Sequence, residues 1–200
     1  MRTNQASRQR SLLALCTSAI FIALSTILSF LQIIEMPMGG SVTLASMLPI
    51  LFIGLQFGYK WGLGSAFVYS LVQLMQALIK GNVFVYCVGA TAVIVCILFD
   101  YILPFSVLGL SAFAKAKEGK EVSIPKALIV FSILIVIRFI CHFVTGMTIW
   151  GQWDDGFIGA FTYSLAYNGS YMLPELVITV VLAGALLAAK PIRRYISKNS

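Results

Sequence analysis

The sequence contains very few charged residues for its length. Asp, Glu, Lys and Arg make up only 10% of its 200 residues, whereas soluble proteins carry about 25%. Apolar residues account for 60% of the chain, and the mean hydropathy is +0.94. Because so few charges cannot cover a water-exposed surface, this composition excludes an ordinary soluble domain. Most of the chain must face lipid or other apolar helices.

Motifs for nucleotide and metal binding are also missing from the sequence. It contains no GxxxxGK[ST] phosphate loop, so any energy from ATP must come from a partner protein. The four cysteines lie in apolar segments and form no CxxC pair, so their spacing does not indicate a metal site. We therefore expect no metal site, no cofactor and no catalytic residues.

Long apolar stretches, separated by short polar breaks, run through the whole chain. A bilayer core of about 30 Å needs roughly 20 residues per helical span. The pattern predicts an all-α integral membrane protein, a bundle of about six transmembrane helices in a single domain, residues 1–200. The expected spans are 11–33, 43–59, 61–80, 84–113, 124–150 and 168–190.

The basic residues predict how this bundle is oriented. The net charge of +7 could suggest nucleic acid, but Lys and Arg cluster at the ends of spans rather than in one patch, so we expect no nucleic-acid partner. In the predicted topology Lys80 alone lies on one side. An excess of Lys and Arg marks the cytoplasmic side, which predicts that both termini are cytoplasmic. The residues on that side are Arg2, Arg8, Arg10, Lys60, Lys115, Lys117, Lys120, Lys126, Lys190, Arg193, Arg194 and Lys198.

Away from the ends of the predicted spans, four residues carry acidic or basic side chains: Asp100, Arg138, His142 and Glu175. Such residues are costly in a bilayer and usually face the bundle interior, where they pair or form a functional site. Arg138 and His142 are four residues apart and share one helix face. Two structural roles remain open: Arg138 could pair with Asp100 or Glu175, and His142 could bond a backbone carbonyl.

Aromatic and polar residues are dense after His142. Interfacial aromatic belts explain one or two of them, but not the interleaved carboxylates and amide. Aromatic faces and carboxylates attract cations, so the combination favours a small, flat, positively charged ligand. The first outer loop, from Glu35 to Ser41, could be a lid or an ordinary connector. The cluster comprises Trp150, Trp153, Asp154, Asp155, Tyr163, Tyr167, Asn168 and Tyr171.

Four segments carry a family resemblance. They are MPMGGSVTL at 36–44 leading to MLPI at 47–50, Asp100-Tyr101, Arg138-Phe139 with His142, Gly146 and Trp150, and YSLAYNGSY at 163–171 with Pro174-Glu175. In these segments the chain resembles the thiamine-specific substrate-binding subunits, or S components, of energy-coupling factor (ECF) transporters.

The resemblance implies a thiamine pocket and a role for each of its residues. Trp150 would stack on the aminopyrimidine, and His142, Tyr163 and Asn168 would bond its edge. Asp100 and Tyr101 would be the acidic and aromatic partners of the ligand, with Glu35 and Glu175 as further candidates. The family can place a tryptophan in the first outer loop, where this chain has Glu35, Met36 and Met38.

The resemblance also implies partners. S components bind their vitamin with high affinity from outside the bacterial plasma membrane and carry no ATPase. They work with a membrane-embedded coupling subunit and two cytoplasmic ATPases. In the first helix, Ala19 and Ala23 form a small-xxx-small face that would let a partner helix approach closely.

Two alternatives stand beside this interpretation. A self-sufficient proton-coupled carrier would use Asp100, His142 or Glu175 as a proton relay. An intramembrane hydrolase would use Asp100 or Glu175 with His142, although no HExxH or GxSxG motif is present to support it.

Overall fold

A computed structural model describes residues 2–37, 39–81, 84–117, 120–153 and 156–198. Within these ranges the chain folds into helices joined by short connections, with one two-stranded sheet. The helices are α1 (Arg2–Phe30), α2 (Leu48–Phe57), α3 (Tyr59–Lys80), α4 (Ala90–Ala114), α5 (Ile124–Thr148), α6 (Gly156–Ala188) and α7 (Lys190–Lys198), and the strands are β1 (Gln32–Glu35) and β2 (Ser41–Thr43).

Five of these helices are long and apolar enough to cross a membrane: α1, α3, α4, α5 and α6. The prediction of an all-α membrane protein is thereby confirmed. Several spans begin elsewhere than expected, and α1 already begins at Arg2 rather than at residue 11. The predicted span at 84–113 begins at Ala90. Gly89, directly before it, has a φ of +88°, which is not a helical conformation. The predicted span at 168–190 begins at Gly156, so Asn168 lies inside a long helix rather than at its start.

The predicted second span, 43–59, is shorter in the structure. Only ten residues form α2, and all but Phe57 are buried. The burial of nine of its ten residues places α2 in the interior of the bundle. Because protein rather than lipid surrounds it, α2 does not have to match the thickness of the bilayer. Pro49 opens the helix, and Gly58, with a φ of +85°, turns the chain directly into α3.

The two strands on either side of the predicted first outer loop, Gln32–Glu35 and Ser41–Thr43, form a β-hairpin. Strands β1 and β2 pair antiparallel, with Glu35 opposite Ser41. At the turn, Gly40 packs against the Tyr171 ring so closely that a Cβ atom would overlap it. The hairpin is therefore seated on α6.

Three glycines allow α2, α3 and α4 to pack closely together. A Cβ atom at Gly62 would overlap the backbone of Gly109 and Gly54, and one at Gly109 would overlap the backbone of Gly62. Close backbone approach of this kind is how membrane helices gain van der Waals contact without a hydrophobic driving force between them. The contact fixes α4 beside α3. Both helices contribute residues to the wall of the same cavity.

The last helix, α7, is separate from α6 and is held by polar contacts. Arg193 Nε donates to Glu121 Oε2 at 2.8 Å, and the backbone N–H of Val122 donates to Ser197 Oγ at 2.9 Å. The hydrogen bond from Arg193 lowers the pKa of the exposed Glu121 carboxyl. These contacts hold α7 against the connection between α4 and α5.

Candidate ligand-binding site

Asp100 and Tyr101 lie in a short π-helical segment, Ile97–Ile102, within α4. Pro104 follows four residues after Asp100. Proline has no N–H and its ring crowds the carbonyl four residues earlier, so the regular α-helical bond to Asp100 is impossible. The wider π turn accommodates this defect, and such turns often occur at functional sites. The local sequence thus explains the irregular backbone that carries Asp100.

One face of α5 supplies the polar side of the site. Arg138, His142, Thr145 and Gly146 follow the spacing of a single helix face, and all four line the same cavity. A Cβ atom at Gly146 would overlap Ser164 Oγ and approach Asn168 Nδ2. The absence of a side chain there lets α5 and α6 approach closely beside the cavity.

A row of tyrosines on α6 forms the aromatic side. Tyr163 and Tyr167 are stacked, with ring centroids 5.6 Å apart, and Tyr167 meets Tyr171 edge to face at 5.9 Å. These residues follow the four-residue repeat that aligns side chains along a helix. Trp150, in the 3₁₀ turn Trp150–Trp153, completes the wall and contacts Tyr86 edge to face at 5.8 Å.

The elements converge on one cavity. The hairpin turn, α3, α4, α5, the Trp150 turn and α6 each contribute to its wall. The lining residues are Gly39, Gly40, Ser41, Gln73, Asp100, Tyr101, Phe105, Arg138, His142, Thr145, Gly146, Trp150, Tyr163, Tyr167, Asn168 and Tyr171. Six of the eight substrate-binding candidates named from sequence therefore face one space: Asp100, Tyr101, His142, Trp150, Tyr163 and Asn168.

His142 lies between the carboxylate of Asp100 and the guanidinium of Arg138. Its Nδ1 lies 3.0 Å from Asp100 Oδ1, and its Nε2 accepts a hydrogen bond from Arg138 Nε at 3.3 Å. Because a guanidinium can only donate, Nε2 must keep its lone pair, and the imidazole proton lies on Nδ1 facing Asp100. The two neighbours therefore fix one neutral tautomer of His142 and the orientation of its ring.

Among the described residues, only one of the two carboxylate oxygens of Asp100 accepts hydrogen bonds. Oδ1 accepts from Thr145 Oγ1 as well as from His142. Oδ2 is buried and has no hydrogen-bond partner among the described residues. A buried acceptor without a partner costs free energy, roughly 1–3 kcal/mol. This oxygen is suited to a ligand that brings positive charge or a hydrogen-bond donor.

Arg138 does not form the ion pair considered from sequence. Within the described residues its contacts are His142, the Met47 sulfur at 2.8 Å from Nη1, and the Phe105 ring, whose centroid lies 4.4 Å from Cζ. The cation–π contact with Phe105 stabilises the guanidinium inside the bundle. Asp100 and Glu175 are left without a salt bridge to Arg138, and both carboxylates remain available for other groups.

Asn168 lines the cavity, but its amide already bonds within the protein. Nδ2 donates to the carbonyls of His142 and Ser164, at 3.2 and 3.0 Å, and Oδ1 accepts from the Tyr171 hydroxyl at 2.8 Å. The side chain therefore links α5 to α6 and orients Tyr171. A ligand that bonds Asn168 therefore has to share its amide with these existing hydrogen bonds.

The two remaining candidates lie outside this cavity. Glu35 has a half-exposed side chain and forms a salt bridge with Lys80 at 2.7 Å, so it joins the hairpin to the end of α3. Glu175 is only 2% exposed and lines a second, adjoining cavity. Met38, Asp154 and Asp155 lie outside the residues that the structure describes.

Sequence reasoning missed three lining residues: Gln73, Phe105 and Thr145. Thr145 could have been found, since it is three residues after His142 and shares its helix face. Gln73 is a polar residue in an apolar span, which was a further signal. Phe105 looks like any other apolar span residue. Among the described residues, no group of three or more His, Cys, Asp or Glu side chains could hold a metal ion.

The sequence matches a known family model over most of its length. The description of that family is "Thiamine transporter protein (Thia_YuaJ)", and the match covers residues 15–194. The chain belongs to this thiamine transporter family. It is accordingly a multi-pass membrane protein of a transporter family and not an enzyme, which removes the hydrolase alternative.

Relatives within the thiamine transporter family support the assignment. The chain is 29% identical over 194 residues to the thiamine transporter ThiT of Bacillus subtilis, covering 92% of this chain and 95% of the relative. It is 25% identical over 153 residues to ThiT of Lacticaseibacillus paracasei, covering 72% of each. A solved structure of ThiT from Listeria monocytogenes has the same fold, with a TM-score of 0.64, 23% identity and coverage of 90% of this chain and 96% of that one.

Proposed function

We propose that this protein is the thiamine-binding S component of an ECF-type vitamin importer in the bacterial plasma membrane. The observation that carries the proposal is the cavity in which Trp150, Tyr163 and Tyr167 face Asp100. Thiamine joins a flat aminopyrimidine to a cationic thiazolium, and this cavity offers aromatic faces beside a carboxylate with a free oxygen. Family membership supports the same ligand.

The geometry suggests how thiamine binds. Trp150 stacks on the aminopyrimidine, whose edge meets Tyr163, Asn168 and the His142 ring. The thiazolium lies beside Asp100 and Tyr101, and Asp100 Oδ2 provides its counter-charge. A cation in a poorly hydrated cavity needs such a charge or a strong aromatic face.

We further propose a single membrane domain that crosses the bilayer about six times, with both termini cytoplasmic. Helix α2 and strand β2 together form the sixth crossing inside the bundle. An extended segment rises about 3.3 Å per residue and a helix 1.5 Å, so this mixed segment extends farther than its ten helical residues alone. The basic connections and α7 then face the cytoplasm.

An S component of this kind depends on a membrane-embedded coupling subunit and two cytoplasmic ATPases. Ala19 and Ala23 are both exposed on α1, opposite the buried stripe formed by Ser18, Ser25 and Ser29. Their small side chains leave a shallow face on which a helix of the coupling subunit can pack closely.

The alternative of a proton-coupled carrier requires a residue that takes up and releases protons during transport. His142 is poorly suited, because its Nε2 faces the Arg138 guanidinium and its Nδ1 faces Asp100. Gradient-driven thiamine uptake by liposomes that contain this chain alone would favour the carrier. We expect uptake only when the coupling subunit and the ATPases are present.

Calorimetric titration of the purified protein tests the ligand. We expect thiamine to bind tightly and stoichiometrically, and riboflavin and biotin to give no heat of binding. Trp150 lines the cavity, so quenching of tryptophan fluorescence by thiamine is a second readout. Preferential binding of another vitamin would overturn the proposal.

A further inference from the structure

An apolar groove with a volume of about 440 Å³ lies between α1, α2, α6 and α7. Leu24 on α1 and Leu182 and Leu186 on α6 are among the residues that line it, and each of the three is more than a third exposed. The groove therefore opens on the outer surface of the bundle, where lipid surrounds a membrane protein. Of the described residues, none lines both this groove and the thiamine cavity.

The two ends of the groove differ in chemistry. At one end are Leu28, in the last turn of α1, and Leu44, directly after β2. At the other end are Gln56, the penultimate residue of α2, and Ile192 and Tyr195 on α7. The groove thus runs from an apolar end beside the hairpin to an end beside α7 that carries polar groups.

Gln56 brings an incompletely bonded amide to the α7 end of the groove. The residue is only 1% exposed, and its Nε2 is buried without an acceptor in the part of the chain that the structure describes. A buried donor without a partner costs free energy, so a ligand that supplies an acceptor is favoured. The ester carbonyl of a glycerolipid is such an acceptor, and it lies where the acyl chain meets the headgroup.

Helix α7 brings positive charge to the same end. Its nine residues include no acidic residue and four basic ones: Lys190, Arg193, Arg194 and Lys198. Glu121 offsets part of this charge, since its carboxylate lies 2.8 Å from Arg193 Nε and 3.4 Å from Arg194 Nε. The Arg194 side chain is still 72% exposed, and Lys198 lies three residues after Tyr195 on the same side of the helix. A basic amphipathic helix of this kind attracts anionic headgroups.

An outward depression between α5 and α6 shows what distinguishes the groove. Its lining residues include Phe139, Leu165 and Leu173, and its Ser170 hydroxyl already donates to the Tyr167 carbonyl at 2.7 Å. Among the described residues that line it there is no basic side chain and no amide side chain. This depression can accept an acyl chain, but it has no group that would select a headgroup.

We propose that the groove binds one anionic glycerophospholipid of the leaflet that α7 faces. An acyl chain lies along α1, α2 and α6, an ester carbonyl accepts from Gln56 Nε2, and the phosphate lies beside Arg194 and Lys198. Ala19 and Ala23 do not line the groove, so the lipid leaves that face of α1 uncovered. The site depends on the membrane environment and not on which vitamin the protein binds.

Native mass spectrometry of the purified protein in detergent tests the headgroup contact. The probes are phosphatidylglycerol and phosphatidylcholine with identical acyl chains. The wild-type protein should bind phosphatidylglycerol about tenfold more tightly. The double variant Arg194→Gln, Lys198→Gln should reduce this ratio to about threefold or less. The matched control is Lys117→Gln, Lys126→Gln, which removes the same charge from two exposed residues outside α7 and should keep the ratio.

Two further variants test whether the lipid lies in the groove. Gln56→Leu removes the unpaired amide and should weaken binding of both lipids by roughly two- to tenfold. Leu186→Trp fills the groove and should weaken both severalfold. Leu173→Trp makes the same substitution in the depression between α5 and α6 and should change neither affinity. Calorimetric titration with thiamine checks that each variant is folded, because none of these residues lines the thiamine cavity.

Three outcomes would overturn the proposal. Equal binding of the two lipids by the wild-type protein would exclude the headgroup contact with α7. Wild-type lipid affinity in a folded Leu186→Trp protein would exclude the groove as the site. A lipid-free dimer that persists with phosphatidylglycerol but dissociates in Leu186→Trp would show that a second copy of the chain covers the groove. Each of these results would leave thiamine binding, and with it the proposed function, intact.

Discussion

Trp150 is the residue whose change most directly tests stacking in the cavity. Replacing it with alanine removes an aromatic face, so Trp150→Ala should weaken thiamine binding by roughly 1–2 kcal/mol, or about tenfold. Phe161→Ala is a suitable control, because Phe161 is an exposed aromatic residue on α6 that contacts Phe143 and Phe157. Calorimetry should show unchanged affinity for the control. Unchanged affinity of a folded Trp150→Ala protein would mean that Trp150 only anchors a helix end at the membrane interface.

Asp100 is the proposed counter-charge of the thiazolium. In Asp100→Asn the amide oxygen can still accept from His142 and Thr145, as Oδ1 does now, but the negative charge is gone. Binding of thiamine should weaken by roughly tenfold or more, because charge-assisted contacts are about twice as strong as neutral ones. A neutral analogue, with an uncharged ring in place of the thiazolium, should lose much less affinity.

The competing role for Asp100 is only to orient His142. That role predicts similar losses for thiamine and for the neutral analogue, since both share the aminopyrimidine. Titrating the two ligands against the wild-type and Asp100→Asn proteins distinguishes the roles. Similar losses would exclude the counter-charge and direct attention to Glu175.

At the scale of elements, the contact between α5 and α6 positions the site. Ser164 Oγ donates to the Phe143 carbonyl at 2.7 Å, and Asn168 donates to the His142 carbonyl. Gly146→Ala would place a methyl group where Ser164 Oγ and Asn168 Nδ2 now lie. We expect it to separate the helices, to destabilise the protein by roughly 1–3 kcal/mol and to weaken thiamine binding.

Gly169 provides the matched control for this change. It lies in α6, and a Cβ atom there would meet no other group within 4 Å. Gly169→Ala should therefore leave affinity unchanged and raise stability by up to about 1 kcal/mol through helix propensity. Thermal unfolding in detergent and ligand titration measure both effects. Equal behaviour of the two variants would show that the close approach at Gly146 does not position the site.

At the scale of the whole molecule, binding and transport should depend on different surfaces. Replacing both Ala19 and Ala23 with leucine adds bulk to the exposed face of α1 and leaves the cavity on other elements untouched. Thiamine affinity should stay at the wild-type value, while ATP-driven uptake by the reconstituted importer falls severalfold or more, because close helix approach is blocked.

Ala166, an exposed alanine on α6, allows the same substitution to be made on a different helix as a control. Ala166→Leu adds similar bulk to a different outward face and should leave uptake unchanged. Wild-type uptake by the Ala19 and Ala23 double variant would reject the docking face. Loss of thiamine binding in that variant would point instead to a folding defect.

The sequence by itself determined the class of the protein and identified many of the residues that line the first cavity. Low charge and long apolar runs require a membrane environment, and this property depends on composition rather than on tertiary contacts. Residues on one helix face, such as Arg138 and His142, were predictable because helical periodicity is local. The acidic candidates were predictable because ionisable groups are costly in lipid, and the aromatic ones because they are interleaved with polar residues, which an interfacial belt does not explain.

Only the tertiary structure decided how these residues combine. The shortness of α2 depends on its burial among other helices, since a segment shielded from lipid need not be about 20 residues long. Glu35 faces Lys80 rather than the cavity, and Glu175 bonds Thr43, because the hairpin folds onto the end of α3 and the middle of α6. The place of Gln73 on a wall shared by two cavities depends on contacts between distant segments, which no local pattern in the sequence specifies.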